Sequence, residues 1–508
     1  MLRFGVFCLP FLLVGLPAAA VEDSAWTRSA SNPIMTRGAA GSIDFLKIGP
    51  RAMLREGPTT WKMWYEAPPS GNKSYTALAT SSDGISWTKY AGNPVMSPSE
   101  AWEGGAGNAT GEVSPTGILR EHGLYKLWYH GFSGTFTRQV GYATSPDGVS
   151  WTKYAGNPVL TPGNAGAWDA DSVCEPRVLH IGSTYYMYYT HCYGSENDIG
   201  LATSTDGLSW TKYAGNPVVA KGSGWEDKTV AWGNVYHDGV LFHMWYLGIA
   251  NAATGGYELG YASSSDGKTF IKSANNPVLA RPQPLIVNTD YAVNKGDGIG
   301  VENSINAFRL GNVWRFYYGG FASCCPEDAT LCMATAAVKT SPNRAPLVDA
   351  GADQVIVLGQ SAALSGIIQD DDVPVPLAQV MAQWSKLSGP GTVTFSNAAA
   401  LGTTAMFSAA GTYVLHLVGN DTALSTTSQL TVSVLTTAPA DLSVSLDGSN
   451  GGSGGGGGSN DGGGDDLAST SKSPGGCGCG VGGQGPSVGA ALALLAMLVL
   501  FRVRNKQR

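Results

Sequence analysis

The sequence predicts an all-β protein: a five-bladed β-propeller, then an Ig-like β-sandwich, a flexible Gly-rich tether and a C-terminal hydrophobic helix. Three observations carry that expectation. A long phrase recurs at a near-constant interval, an aromatic run precedes each recurrence, and at residue 343 the text changes to short alternating strands.

The phrase reads "ATSSDGISWTKYAGNPVM" at 79–96 and "GYATSPDGVSWTKYAGNPVL" at 141–160. It returns as "ATSTDGLSWTKYAGNPVV" at 202–219 and, more loosely, as "ASSSDGKTFIKSANNPVL" at 262–279. Its Asn-Pro steps at Asn93, Asn157, Asn216 and Asn276 lie 64, 59 and 60 residues apart, which suits a propeller blade. Five aromatic runs, "WKMWY" (61–65), "YKLWY" (125–129), "YYMYY" (185–189), "FHMWY" (242–246) and "WRFYY" (314–318), are too short for helices and read as strands. The fifth unit ends at "CMATAAV" (332–338) with no closing phrase, yet "WTRSASNPIM" (26–35) aligns with "WTKYAGNPVM" (87–96). The N-terminal segment is therefore expected to supply the last strand of the last blade, closing residues 21–342 into a ring with few open edges. Within the phrase the Asp-Gly pair signals a tight turn, so Asp83, Asp147, Asp206 and Asp266 are expected to be structural, and Trp151 to pack between blades.

The ends speak to location. Residues 1–20 carry Arg3, an apolar run and a small-residue cleavage site after Ala20, the pattern of a secretory signal peptide. Residues 437–487 form a linker in which eleven of the seventeen residues 448–464 are Gly, leaving nothing to build a core. Residues 488–508 are a short hydrophobic anchor with a basic tail. Cys477 and Cys479 in "GGCGCG", the apolar run and the Arg-rich terminus together resemble a MYXO-CTERM sorting tail, which implies cleavage and re-anchoring at the outer surface; a plain anchor helix is the alternative. The expected place is outside the cell, at a bacterial cell surface or outer membrane, as a monomer held to the membrane through this tail. A net charge of −7 with no basic run in the folded part argues against a nucleic-acid partner. Export permits disulfides. Cys174 and Cys192 flank a hairpin turning near Gly182 and are expected to bridge, and Cys332 to pair with Cys325 or its neighbour Cys324.

In a propeller the first strand of each blade lines the channel, so the informative positions are those where the repeats disagree. The inner segments are "IDFLKIGPRAML" (43–54), "ATGEVSPTGIL" (109–119), "DADSVCEPRVL" (169–179), "DKTVAWGNVY" (227–236) and "GDGIGVENSINAF" (296–308). They carry Asp44, Glu112, Asp169, Asp171, Glu175, Asp297 and Glu302, acids from separate strands that would converge on one axis. A convergent pair is what glycoside hydrolysis needs, and mutual repulsion with burial would leave one protonated near neutral pH. The blade count and "CEPRVLHIGSTYYMYYT" (174–190) resemble the five-bladed propellers of glycoside hydrolase families 43, 32, 68 and 130. The resemblance implies Glu175 as general acid and Glu112 as the second-blade acid that tunes it. Where those families place a first-blade Asp-Pro base this chain has Gly49-Pro50; Asp44 could stand in only if the strand entry curls to the axis. Asp44 also aligns with Glu103, Asp169 and Glu226, so it reads equally as a repeated structural acid. The sialidase Asp box spaces its aromatic differently from Asp83 and Trp87, which counts against that assignment. Arg51, Arg177, Lys228, His191, Trp232 and Glu302 are candidate substrate-binding residues; for each cation the bland alternative is an ion pair. No cofactor is implied, and a structural Ca²⁺ is admitted by the acids without support from their spacing.

From Asn343 to 436, "QWSKLSGPGTVTF" and "AGTYVLHLVGND" are similar to PKD and related Ig-like modules, with Trp384 as the core Trp and Tyr413 as the late-strand Tyr. The expected function is a secreted, surface-anchored glycoside hydrolase acting on an extracellular poly- or oligosaccharide. The alternative is a propeller that binds carbohydrate without cleaving it, or a surface adhesin.

Overall fold

The computed structural model describes residues 24–69, 73–105, 110–132, 137–192, 197–250, 257–280, 298–299, 305–321, 329–339 and 342–437. The signal, tether and tail, with Glu302, Cys324 and Cys325, lie outside the described residues. No helix among the described residues is long and apolar enough to cross a membrane.

The repeats fold as five antiparallel meanders. Their first strands are Gly49–Gly57, Gly111–Glu121, Val173–Ile181, Thr229–His237 and Asn306–Leu310. The aromatic runs form the second strands, Thr60–Ala67, Leu124–Phe132, Thr184–His191, Phe242–Ile249 and Val313–Phe321. The first strands touch one another in a closed circuit, units one to two, two to three, three to four, four to five and five to one. Units one and two are also joined by a short parallel pairing, Lys73 with Gly111 and Ser74 with Glu112.

The ring closes as the alignment of 26–35 requires. Thr27 and Arg28 pair with Thr335 and Ala334 on Ala329–Ala337. The Asn32 side chain receives the Met333 N–H at 2.8 Å and donates to the Met333 carbonyl at 2.9 Å. Asn93, Asn157, Asn216 and Asn276 make the same double bond to Leu78, Tyr142, Leu201 and Tyr261. Each Asn thus fills a ladder position where the Asn-Pro turn leaves the sheet without a backbone partner.

The rest of the phrase fastens one unit to the next. The Asp147 carboxylate accepts the Val149 and Ser150 N–H groups at 2.8 Å, and the Gly148 carbonyl accepts the Trp64 indole N–H at 2.7 Å from the preceding unit. Trp128 to Gly207, Tyr188 to Gly267 and Tyr317 to Gly84 repeat the contact. Gly148 has φ 81°, and a Cβ there would stand 2.7 Å from the Trp64 ring, so only glycine serves. Trp151 packs edge-on against Trp64 with ring centroids 6.0 Å apart, the inter-unit role expected of it.

The second domain is a β-sandwich. Met381–Ser388, Gly411–Asn420, Ser425–Leu435 and Gln354–Val357 form one sheet; Ser361–Ser365, Gly402–Phe407 and Val393–Phe395 form another. Trp384 is buried among Leu415, Leu417 and Leu430, and the Tyr413 hydroxyl ties back to the Ala409 carbonyl at 2.8 Å. This domain docks on the turns at the far ends of the ring's first strands. Asp371 accepts from Arg309 at 2.8 Å, Asp372 from Arg55 at 2.7 Å, and Asp349 from the Gly123 N–H at 3.0 Å. Between the two lies a cavity of about 150 Å³ lined by Arg55, Tyr236, Phe308, Arg309, Arg344 and Asp371 among others.

Candidate functional site

A β-bulge recurs near the start of the first strand in units one to four. The register slips between Pro50 and Ala52, Pro115 and Gly117, Cys174 and Arg177, and Ala231 and Asn234. The extra residues are Arg51, Thr116, Glu175 with Pro176, and Trp232 with Gly233. A bulge re-aims side chains at the cost of ladder bonds. Glu175 and Trp232 both adopt φ 54°, unusual for residues with a Cβ and worth about 1–3 kcal/mol each. The Cys174–Cys192 disulfide closes beside this bulge, joining the first strand of unit three to the residue that follows its second strand.

At the axis the bulges bring Arg51 and Glu175 together. The Arg51 Nη1 donates to Glu175 Oε1, while its Nε donates to Glu66 Oε2 at 3.0 Å and its Nη2 to the same oxygen. Glu66 Oε1 accepts from Ser74 Oγ at 2.9 Å and lies 3.3 Å from Lys47 Nζ. On the other side Glu112 contacts His130 Nε2 at 3.1 Å and Arg138 Nε at 3.2 Å, and the Glu175 N–H points at His130 Nδ1, 3.4 Å away. The Glu175 carboxylate thus heads one alternating chain of charge, through Arg51 and Glu66 to Lys47, while its backbone N–H meets His130, which leads on to Glu112 and Arg138. Its Oε2 is buried and has no hydrogen-bond partner among the described residues.

Arg177, two residues on from Glu175, is buried and reaches across to three other units. Its Nη1 donates to the Arg51 carbonyl at 2.6 Å, to the Thr116 carbonyl at 2.8 Å and to Asn306 Oδ1 at 3.3 Å, so it ties units one, two and five to its own. Burial lowers the Arg177 guanidinium to about 10, with Glu175 opposing and Arg51 adding to the fall.

The acids depart from the expectation that one stays protonated. Burial pushes Glu175 up, but Arg51, His130 and Arg177 more than offset it and hold the carboxyl below its ordinary value. Burial likewise works against Glu112, yet Arg138, His130 and Arg51 hold it well below the carboxylate range. Glu66 is drawn down to about 2 by Lys47 and Arg51 against its own burial. In this state all three are carboxylates.

Asp44, the expected stand-in base, sits elsewhere. It pairs with Lys89, accepts from Tyr65 at 3.3 Å and from Ser42 at 3.0 Å. Glu103 with Lys153 and Tyr129, and Asp169 with Lys212 and Tyr189, repeat that arrangement, and Glu226 pairs with Lys272 in the same way. This corrects the catalytic expectation for Asp44: the phrase's Lys neutralises one buried acid in each of these four units, so the acid recurs with the Lys. Trp102, Trp168 and Trp225 lie over Tyr129, Tyr189 and Tyr246 with centroids 5.6–5.9 Å apart, which is packing. His191 faces Asp171 at 3.8 Å and Trp168, and Trp232 packs against Tyr257 at 4.8 Å. The Lys228 backbone N–H bonds Ile249 O at 3.1 Å, and its half-buried side chain has no partner among the described residues. Cys332 is buried on Ala329–Ala337. Among the described residues no group of three or more His, Cys, Asp or Glu is arranged to hold a metal.

Glu66 escapes a comparison confined to first strands. The residue after the aromatic run is Glu66, His130, Thr190, Leu247 and Gly319 in the five units, so the repeats disagree there too and put two polar groups at the site.

Residues 132–230, which contain Arg138, Glu175 and Arg177, match the family described as β-1,4-mannooligosaccharide phosphorylase, glycoside hydrolase family 130. The chain is similar to family 130. Residues 350–434 match a PKD domain family. The uncharacterized protein Rv1502 of Mycobacterium tuberculosis is 25% identical over 236 residues, 44% of this chain and 75% of that protein. Among solved structures, one described under the GH130 family of mannoside phosphorylases containing hydrolases that target β-1,2 mannosidic linkages in Candida mannan is 19% identical, covers 64% of this chain and 99% of its own, and has a TM-score of 0.47. The β-1,2-mannobiose phosphorylase from Listeria innocua is 14% identical, with coverage of 61% and 96% and a TM-score of 0.45. Family 130 proteins are glycosidases or phosphorylases acting on glycosidic bonds.

Proposed function

We propose that the five meanders are the blades of a five-bladed propeller whose axial site cleaves a glycosidic bond in an oligosaccharide, with Glu175 as the proton-handling carboxyl and Glu112 as its partner through His130. The observation that carries this is the uncommitted Glu175 Oε2, held at the axis on a positive-φ bulge inside the family 130 match. A sugar ring entering between Glu175 and Arg51 would remove the cation that holds the acid down. Burial, now acting without its main opponent, then raises Glu175 and lets it protonate the departing oxygen. The other reactant is water or phosphate.

The same reading extends outward. The leader, the Gly-rich tether and the apolar tail favour export and retention at a bacterial surface, with the glycan met outside the cell.

The test is turnover of β-mannooligosaccharides with and without inorganic phosphate by the wild type and Glu175→Gln. Cleavage that falls by about 10²–10⁴ in the variant supports the proposal, and phosphate dependence selects phosphorolysis. A second reading, carbohydrate binding without turnover, is favoured by one observation: Gly49 stands before Pro50 where a first-blade base would be, and the charge of the adjoining Arg51 compensates Glu175. Saturable binding with no cleavage, unchanged in Glu175→Gln, would select it.

A further inference from the structure

The proposed mechanism leaves Glu66 unused, yet its side chain is only 3% exposed and both carboxylate oxygens are engaged. Two of the three Arg51 nitrogens are spent on it, and the third alone reaches Glu175. Such a fork is planar and rigid, so the partner that takes two of its donors decides where the last one points. Glu66 is itself held from behind by Lys47 and Ser74, on the strand entry and the third strand of the same unit. The geometry points to Glu66 as a positioning residue for the cleavage: it fixes the Arg51 fork and, through it, the orientation and charge environment of Glu175. This rests on the reading of Glu175 given above and adds a residue that touches neither substrate nor reacting atoms.

Glu175 is faced by Arg51 from unit one, His130 from unit two and Arg177 from its own strand, with Glu66 beyond Arg51 and Glu112 beyond His130. Neutralising Glu66 removes a negative charge from one side and leaves more of the Arg51 charge to act on Glu175, which makes Glu175 a stronger acid. Neutralising Arg51 does the reverse. A merely structural role would weaken the enzyme in both cases without opposite signs.

The experiment uses the full secreted chain. The carboxyl of Glu175 is followed by carbon-13 NMR in glutamate-labelled protein, assigned by its disappearance in Glu175→Gln, across pH 2–9 for wild type, Glu66→Gln, Glu66→Asp and Arg51→Gln. In parallel the pH profile of kcat/KM is measured on the mannooligosaccharides. Glu66→Gln is expected to shift the Glu175 titration, and the basic limb of the profile, down by about two pH units, as a unit charge some 6–7 Å away does at an effective dielectric near 20. Arg51→Gln is expected to shift it up. Glu66→Asp, which keeps the charge but shortens the arm, is expected to restore the titration while lowering kcat about tenfold through the displaced fork. A Glu175 titration unmoved in Glu66→Gln, or moved in the same direction in both neutral variants, overturns the inference. Should the titration move as stated while no glycan is cleaved by the wild type, the coupling stands and the enzymatic reading of the site falls.

Discussion

Asp371 and Arg309 join the sandwich to the ring, and the two halves of this pair should fail differently. Their side chains are 3% and 4% exposed and meet at 2.8 Å. Burial raises Asp371 above its ordinary value even with Arg309 alongside, so desolvation exceeds what the pair returns and the contact is not a net source of stability. Removing one partner is another matter. Asp371→Asn strands a guanidinium that cannot shed its proton, at a cost of about 3–5 kcal/mol at any pH between 5 and 8. Arg309→Met strands a carboxylate, which can escape by binding a proton. Its cost should approach the same figure at pH 8 and shrink toward pH 5. Urea unfolding at pH 5, 6.5 and 8 reads both, and small-angle scattering reports whether the sandwich has swung free. Costs below about 1 kcal/mol in both variants, or a pH-independent Arg309→Met, would refute the account of the latch.

Asp370, next to this pair, is pushed up to about 7 by burial and by Asp371. Its folded value exceeds its unfolded one, so the native state holds the extra proton and stability falls as pH climbs from about 4 to 7; Asp370→Asn should raise the melting temperature at pH 7.5 and leave it nearly unchanged at pH 4. Trp26 is 7% exposed against Trp245 and Phe316, and Trp26→Ala should cost about 3–5 kcal/mol in denaturant and open residues 24–36 to protease. Cys174→Ser, which opens a disulfide spanning 18 residues, should lower stability by about 3 kcal/mol in urea titration.

Much of the ring was legible because its phrases state their own contacts. The Asp-Gly turn, the Asn before Pro and the Lys of "WTKY" recur because each makes the same bond in every unit, and Asn32 could be matched to its sheet 301 residues away by that pattern alone. The site was legible only in part. Glu175 and Glu112 stood out as acids in first strands, but Arg51 looked like one cation among several until the bulge after Pro50 turned it onto Glu175. Glu66 sits in an aromatic strand where alternation suggests core. Docking of the second domain depends on which hairpin turns share a face, and nothing in the run Asp370 to Asp372 announces that Arg55 and Arg309 lie opposite it. Pairings between distant surfaces leave no periodic trace.

The junction of Thr27 with Thr335 also dictates an order of events. A chain leaves the ribosome, or a translocation channel, N-terminus first, so the strand that must seal the circle emerges before any sheet exists to receive it. For the time taken to deliver some three hundred further residues it stays an unmatched ribbon, and only the arrival of the final meander gives it a place. Closure of the circle thus waits on the last meander, and a truncated product lacking Ala329–Ala337 would keep two raw edges instead of one seam.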